Sequence, residues 1–517
     1  MNPNIPPSTH RAMLSAPMRP VCLLILMASA ALNAAHWNQF RGPNGSGVAN
    51  EFRPPIRIDP AKPAWKTAAP PSHSSPILWS ERLFVTGVDG DRLVIAALNA
   101  SDGKLRWKTA APEVELAKVH KAGSNAASSP CADGERVYAY FGSYGLICCD
   151  HDGKVAWKRP LSTPKSLYGM STSPILHDGK LILALDNDLN IEGGKLSRSK
   201  IVAFDGETGE IVWETARPYN RSGWSTPAVW RHEHGVEIAA LGSGRAYGYD
   251  AATGAEKWFV NGFSRETIAT PVIGDGRLFL SAARLGGSGD AQVDPEPFWK
   301  AALQFDRNKD GRVGFNEITK DFTIPLRPEL PPGHPGFGLP LPTDPDKRLQ
   351  RQRGFFAWRD ANKDGFWTHE EFVKDMLVGR GRPNLSAIKP GGRGDITESH
   401  TAWTLRSGVP EIPSPIFHDG RLHLARKGGI LSCINADNGR QIYRERLNAG
   451  GQYSASPVIA NDRLYLVSDR GVISVVKTGD RFELEHQADL KTPVPATPAL
   501  DSTTIYVRTT EGIVAFR

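Results

Sequence analysis

A Ser/Thr-Pro pair followed by a small or apolar residue recurs at Ser75-Pro76, Ser129-Pro130, Ser173-Pro174, Thr226-Pro227, Thr270-Pro271, Ser414-Pro415, Ser456-Pro457 and Thr497-Pro498. Successive prolines lie 54, 44, 53, 44, 144, 42 and 41 positions apart, so six gaps define one unit and the fifth carries about 100 extra residues. Self-similarity at such a period restricts the chain to a solenoid, a propeller or an array. Within a unit the signals keep one order. An apolar pair is followed by a turn such as Asp178-Gly179 or Asp275-Gly276, then by a β-rich run such as Arg82-Leu83-Phe84-Val85 or Arg463-Leu464-Tyr465-Leu466. Another apolar strand and a further turn follow, with an aromatic four residues past the turn glycine: Gly103 to Trp107, Gly153 to Trp157, Gly209 to Trp213, Gly254 to Trp258 and Gly439 to Tyr443. Four short strands per unit is the pattern of a propeller blade. Proline at a strand start removes only a donor that the ladder can spare there.

The ends of the repeat indicate how it closes. Trp65, in Pro63-Ala64-Trp65-Lys66-Thr67, reads as a fourth strand with no Ser/Thr-Pro before it, whereas the last unit, Pro498 to Arg517, has three strands and no fourth. Joining them completes an eighth blade and pairs both exposed edges. The expectation is an all-β, eight-bladed propeller closed by its terminal strands, with each repeated aromatic packed between neighbouring blades. Glycine and proline at about 18% of the chain suit many short strands joined by turns. Charged residues at 23% and hydrophobic ones at 40% exclude a disordered chain and a polytopic membrane protein. A net charge of +7 over 517 residues is too dilute for a nucleic-acid binder.

Arg11 and Arg19 precede a dozen uncharged residues, Val21 to Leu32, and Asn33-Ala34-Ala35 follows. This is too short for a membrane span of about 20 apolar residues and has the plan of an export signal, residues 1–35. The signal implies a periplasmic or extracellular location with no membrane span after its removal. Met13 or Met18 would each give a more ordinary start. The remaining cysteines, Cys131, Cys148, Cys149 and Cys433, are too few to staple so long a chain.

The Ser/Thr-Pro starts, with Asp205-Gly206-Glu207-Thr208-Gly209-Glu210-Ile211-Val212-Trp213 and Asp250-Ala251-Ala252-Thr253-Gly254, resemble the pyrroloquinoline-quinone-like (PQQ-like) repeat. That repeat builds the eight-bladed propellers of quinoprotein alcohol dehydrogenases and of the lipoprotein in the outer-membrane β-barrel assembly machine. The segment Trp37-Asn38-Gln39-Phe40-Arg41-Gly42-Pro43-Asn44-Gly45 is similar to the mature start of exported PQQ-like propellers of planctomycete type. The resemblance implies the fold for residues 37 to 517 apart from one insertion; it does not imply an activity, because one scaffold hosts many roles.

The long gap is bracketed by Gly286-Gly287-Ser288-Gly289 and Gly391-Gly392-Arg393-Gly394, which read as hinges. The expected organisation is a propeller over 36–284 and 395–517 carrying an α-helical insertion, 285–394, in its fifth blade. Two stretches in the insertion match the calcium-loop pattern D-x-[DN]-x-[DN]-G-x5-E. The first has Asp306, Asn308, Asp310, Gly311 and Glu317; the second has Asp360, Asn362, Asp364, Gly365 and Glu371. A hard cation needs six to eight oxygens, which come from the side chains at positions 1, 3 and 5, a backbone carbonyl at position 7 (Arg312, Phe366) and both carboxylate oxygens of position 12. Phe298, Ala302 and Phe305 before the first loop, and Phe315, Ile318 and Phe322 after it, have helical spacing; Phe355, Phe356, Phe372 and Met376 flank the second. Both loops resemble EF-hands. Position 8, Val313 and Trp367, is where such paired loops exchange a short β contact. Prolines from Pro325 to Pro345 make the link between the loops an extended connector. Calcium is expected to be structural here.

The residues three to six places before each repeat proline should line the funnel mouth: His73, Tyr168, Met170, Trp224, Ile268, Glu411 and Tyr453. Trp224 offers a stacking face and Glu411 a ligand, with no Asp, Arg or Asn at matching places to complete a quinone site. Cys148-Cys149 could mimic the vicinal disulfide of some quinoprotein dehydrogenases, but it occupies ordinary third-strand positions. No Ser/His/Asp arrangement, phosphate loop or zinc spacing is visible. Arg393-Gly394-Asp395 and the sequons at Asn44, Asn99, Asn220 and Asn384 carry no further reading. The sequence points to a binding or assembly scaffold that takes a protein or small molecule at its funnel, with a calcium- and quinone-dependent dehydrogenase as the alternative. Pyrroloquinoline quinone is thus a possible cofactor without a ligand set, and no catalytic residue is assigned.

Overall fold

Eight antiparallel sheets follow one another in chain order, and each Ser/Thr-Pro pair opens the first strand of one of them. The computed structural model describes residues 36–162, 166, 168–186, 198–218, 220, 223–284, 296–318, 324–325, 338–339, 342–373 and 382–517; the segment assigned to export lies outside them. In blade one, Ile77–Trp79, Arg82–Asp89, Arg92–Asn99 and Leu105–Ala110 pair in that order. The second and third strands are buried along their middles, whereas the fourth alternates between exposed and half-buried. Strands covered on both faces must read as near-continuous apolar runs. Leu93 to Leu98 therefore shows no alternation. The ladder between third and fourth strands shifts register at the same place in seven blades, as at Ala97/Leu98 and Ala203/Phe204. A bulge adds right-handed twist, which splays the outer strands.

The ring closes as expected. Trp65–Thr67 pairs antiparallel with Gly512–Phe516, Trp65 opposite Ala515, so blade eight takes its outer strand from before blade one and the rest from the chain's end. The repeated aromatics do pack between blades, and the turn glycines explain the spacing. Gly103, Gly153, Gly209, Gly254 and Gly439 lie against Trp65, Trp107, Trp157, Trp213 and Trp403 of the preceding blade, where an added Cβ would sit 2.3–2.8 Å from the indole or its neighbours. Each indole N–H donates across the same seam, to the carbonyl oxygens of Ala100, His151, Gly206, Ala251 and Ala436, at 2.8–3.3 Å. These glycines also have φ near +70 to +90°, a conformation costly for any side chain.

Blade four departs from this. The Trp258 indole donates within its own blade, to Glu237 Oε2 at 2.6 Å. The corresponding turn of blade five is lengthened, and its Gly394–Asp395 pairs in parallel with Trp258 and Phe259 as a fifth strand on blade four. Gly391 to Gly394 is therefore part of this turn and not the exit hinge expected from its glycines. The insertion leaves after Arg277–Ala282 and the blade resumes at Asn384–Ile388, the neighbouring strand.

Among the described residues of the insertion stand three helices, α1 (Glu296–Ala302), α2 (Pro345–Arg359) and α3 (His369–Val373). Trp299, Ala302, Val313, Phe355, Phe356, Trp367 and Phe372 form a core of their own. Among the described residues a 3-10 turn, Phe315–Glu317, follows the first loop. The side chains of Phe298, Phe322 and Met376, and most of the proline-rich connector, lie outside the described residues. Among the described residues no helix is long and apolar enough to cross a membrane.

Candidate functional site

The Ser/Thr of each repeat pair has a role that its strand-opening position conceals. Its hydroxyl accepts the backbone N–H of the equivalent residue one blade earlier: Ser75 to Ser129, Ser129 to Ser173, Ser173 to Thr226, Thr270 to Ser414, Ser414 to Ser456, Ser456 to Thr497, and Thr497 back to Ser75, all at 2.8–3.0 Å. An inner-edge N–H has no ladder partner, and a short hydroxyl side chain supplies one. The link from Thr226 to Thr270 is replaced by Trp224 N–H to Thr267 O (2.8 Å) and Ser225 Oγ to Ala269 O (2.7 Å). This is the same seam that lacks the indole contact.

The ring surrounds a cavity of about 240 Å³ on the propeller axis. One end is covered by the first described segment, residues 37–47. It bonds the inner strands two residues past the proline: Trp37 O accepts from Leu78 N–H, Asn38 O from Ala132 N–H, Gln39 Oε1 from Leu176 N–H and Gly47 O from Ile459 N–H. Asn44 makes two bonds to Val229, and Arg41 Nη2 donates to Pro415 O at 2.8 Å. Six blades are thereby tied to one strap. Gly42, at φ 68°, turns it beneath the Trp37 ring, where a Cβ would clash at 2.6 Å. The cavity is a cup, with Phe40 of the strap among its lining residues.

At the other end stand the residues that precede the ring in sequence. His73, Tyr168, Trp224 and Ile268 line the cup as expected. Met170 is instead packed in the core between blades two and three, and Glu411 and Tyr453 line a separate cavity of about 170 Å³ beside Arg426 and Lys427. The Trp224 ring meets Tyr168 edge-on at 5.6 Å, and its N–H donates to Gly169 O, so it is a wall more than a free stacking face. Burial, with Arg508 adding to it, holds the His73 imidazole below its usual range. The frame missed Arg284, which supplies the arginine absent from the expected positions. It pairs with buried Glu266 (Nε to Oε2, 2.5 Å) and donates from Nη2 to the Tyr168 hydroxyl at 3.1 Å. Among the described lining residues there is no carboxylate.

The cysteines are free and buried. Cys148 packs with Cys131 and Tyr138 on one face of blade two and Cys149 with Phe84 and Ile95 on the other, because successive strand residues point oppositely. Burial pushes the Cys149 and Cys433 thiols up to about 12. Such thiols are poor nucleophiles.

The two acidic loops adopt matching conformations. In the first, Asp306 accepts the N–H groups of Asp310 and Gly311, Asn308 Oδ1 that of Asp310, and Asp310 Oδ1 that of Arg312. Glu317 Oε1 accepts from Arg307 N–H and Oε2 from Gly314 N–H. In the second, Asp360, Asn362, Asp364 and Glu371 repeat the pattern, with the Thr368 hydroxyl also donating to Glu371. Val313–Gly314 and Phe366–Trp367 pair antiparallel, Val313 opposite Trp367, so the loops stand side by side. The bulk of Trp367 is absorbed by stacking on Phe356 (4.6 Å) and by an indole bond to Phe356 O. The carboxylates are satisfied by loop N–H groups, and among the described residues no three carboxylate, histidine or cysteine groups gather as a metal centre would hold them.

The family model described as outer membrane protein assembly factor BamB matches residues 56–189, 197–294 and 381–517, taking in strands of all eight blades. Outer membrane protein assembly factor BamB of Yersinia pestis is 22% identical over 355 residues, 66% of this chain and 82% of that protein. The solved structure of the computationally designed Ika8 protein superposes with a TM-score of 0.50 at 9% identity, over 88% of this chain and 99% of that one, which shows the fold alone. BamB from Moraxella catarrhalis superposes with a TM-score of 0.47 at 12% identity, over 87% and 96% of the two chains.

Proposed function

The chain belongs to the family of the outer membrane protein assembly factor BamB, and on that premise we propose that it is an exported scaffold whose cup receives a partner and whose inserted loops bind calcium. The observation that carries the scaffold reading is the cup itself. It is covered at one end by a strap bonded to six blades, and at the other its mouth is built from Tyr168, Trp224 and the Arg284–Glu266 pair. Aromatic and arginine side chains are the usual anchors of a recognition surface. The family name and the start similar to planctomycete-type propellers both favour an envelope location with residues 1–35 removed.

The test has two arms. Tagged protein from its own cells is expected to retain envelope partner proteins, and Trp224→Ala to release them. Purified protein given calcium and pyrroloquinoline quinone is expected to gain neither the quinone's absorbance nor dye-linked alcohol oxidation. Gaining both would replace the scaffold by a dehydrogenase.

For calcium, the support is the donor set and the loop shape. Each loop offers three carboxylates, one amide oxygen and the carbonyl of Arg312 or Phe366 around a glycine of positive φ, Gly311 (80°) or Gly365 (86°). The two loops are joined as an EF-hand pair, and we assign the ion a structural part, neutralising like charges and fixing the insertion. Calcium at about 100 times its dissociation constant should stabilise the insertion by about 2.7 kcal/mol for each loop that binds it. Glu317→Gln with Glu371→Gln is expected to abolish the calcium-dependent rise in melting temperature. Identical wild-type melting curves with calcium and with chelator would remove the assignment.

A further inference from the structure

The hydroxyl ring has donors left over. A serine or threonine hydroxyl offers one O–H and two lone pairs. In Ser75, Ser129, Thr226, Ser414, Ser456 and Thr497 a lone pair takes the N–H of the neighbouring blade, and none of these O–H groups has an acceptor among the described residues. All six line the cup. They converge on the axis from around the ring, so the throat presents a circle of hydrogen-bond donors.

Two buried guanidinium groups flank this circle. Arg508, 1% exposed, donates to the carbonyls of Ser74 and Thr86, at the residue before the ring. Arg41, fully buried, donates from Nη2 to Pro415 O, the residue after the ring, and to Ser46 O, while its Nε and Nη1 have no partner among the described residues. Burial acts on both without a carboxylate to oppose it and lowers each to about 9. A buried cation without a counter-charge costs several kcal/mol. Carbonyl oxygens offset part of that cost for Arg508; for Arg41 two nitrogens remain.

We propose that the floor of the cup is a binding site for a compact monoanion, a halide ion or a carboxylate group, held by the O–H donors of the ring in the field of Arg41 and Arg508. A single negative charge on the axis satisfies several hydroxyls together and offsets part of the positive charge buried beside the ring. The site lies beneath the mouth, so this inference goes beyond the scaffold reading and holds whichever partner the mouth receives. Where that partner carries a carboxylate, the same floor recognises it.

Crystals of the whole protein soaked in sodium bromide are expected to show an anomalous peak on the axis, in contact with ring hydroxyls. In solution, the melting temperature should rise saturably with sodium bromide or sodium acetate, ionic strength being balanced with the bulky anion of Hepes. Arg41→Met should weaken the apparent affinity about tenfold, the loss of one positive charge buried beside the site. If that variant fails to fold, Ser456→Ala, which removes a single donor, should weaken it about threefold. A response to acetate alone assigns the site to carboxylates; a response to both assigns it to any compact monoanion. No anomalous peak, with a non-saturating response that is the same in wild type and variant, would overturn the proposal and leave the ring to water.

Discussion

Acidification from pH 6.5 towards 3 is expected to destabilise the propeller by on the order of 4 kcal/mol through one side chain, His423. The residue is the third of strand Arg421–Arg426 in blade six, opposite Cys433 and Ile416. It is fully buried, and neither ring nitrogen has a partner among the described residues. Burial, with the charges of His418 and Arg421 adding to it, depresses the imidazole to about 3. The sign follows from linkage. In the unfolded chain this histidine takes up its proton near pH 6.5, in the folded one only near 3, so between these values the unfolded state binds more protons and stability is lost as the pH is lowered. Above pH 6.5 the contribution is complete. The loss approaches about 1.4 kcal/mol per pH unit inside the window. Urea unfolding at pH 7, 5.5 and 4.5 measures it, and His423→Leu should flatten the profile. An unchanged slope in that variant would assign the acid lability elsewhere.

Arg217→Met is expected to cost about 3–5 kcal/mol, the range for breaking a buried ion pair from one side. The guanidinium is fully buried and grips Asp186 with two nitrogens, Nε to Oδ1 at 2.7 Å and Nη2 to Oδ2 at 2.5 Å. Its remaining N–H groups reach the Tyr249 hydroxyl (2.8 Å) and Leu241 O (2.9 Å), and it lies over the Tyr247 ring. Desolvation works against its charge, but the carboxylate outweighs that and raises its affinity for the proton. Methionine fills much of the volume yet removes the two charge-assisted bonds that Arg217 makes to buried Asp186. The double variant Arg217→Met with Asp186→Leu should recover most of the loss, because an apolar pair of similar size removes the stranded charge. A single variant within about 1 kcal/mol of wild type in urea unfolding would show that Asp186 is held by other groups.

The blades were legible because their signals are local: a proline, a turn glycine and an aromatic at fixed offsets. The ring of hydroxyls was not, although its residues are the repeat's most regular letters. Ser75 bonds a residue 54 positions away, and nothing within one unit shows that. The funnel frame succeeded at His73, Tyr168, Trp224 and Ile268, where the entering loops follow the axis, and failed at Glu411 and Tyr453, which line another cavity. Arg284 escaped because it stands after a second strand, at the lip of the insertion, where no other blade has an equivalent. Gly391 to Gly394 reads as a hinge because sequence does not distinguish a flexible glycine run from one that shapes a long, hydrogen-bonded turn.

The strap at the base of the cup is synthesised first and completed last. Trp37 needs only Leu78, some 40 residues on, but Gly47 waits for Ile459, and Trp65 for Ala515. No emerging chain can finish its floor or close its ring before almost all of it is present. Pairings so distant in sequence slow folding and prolong the exposure of unpaired strands. The delay is built into the topology: the floor of the cup and the last seam of the ring join the two ends of the repeat, so they are completed together and only when both ends are present.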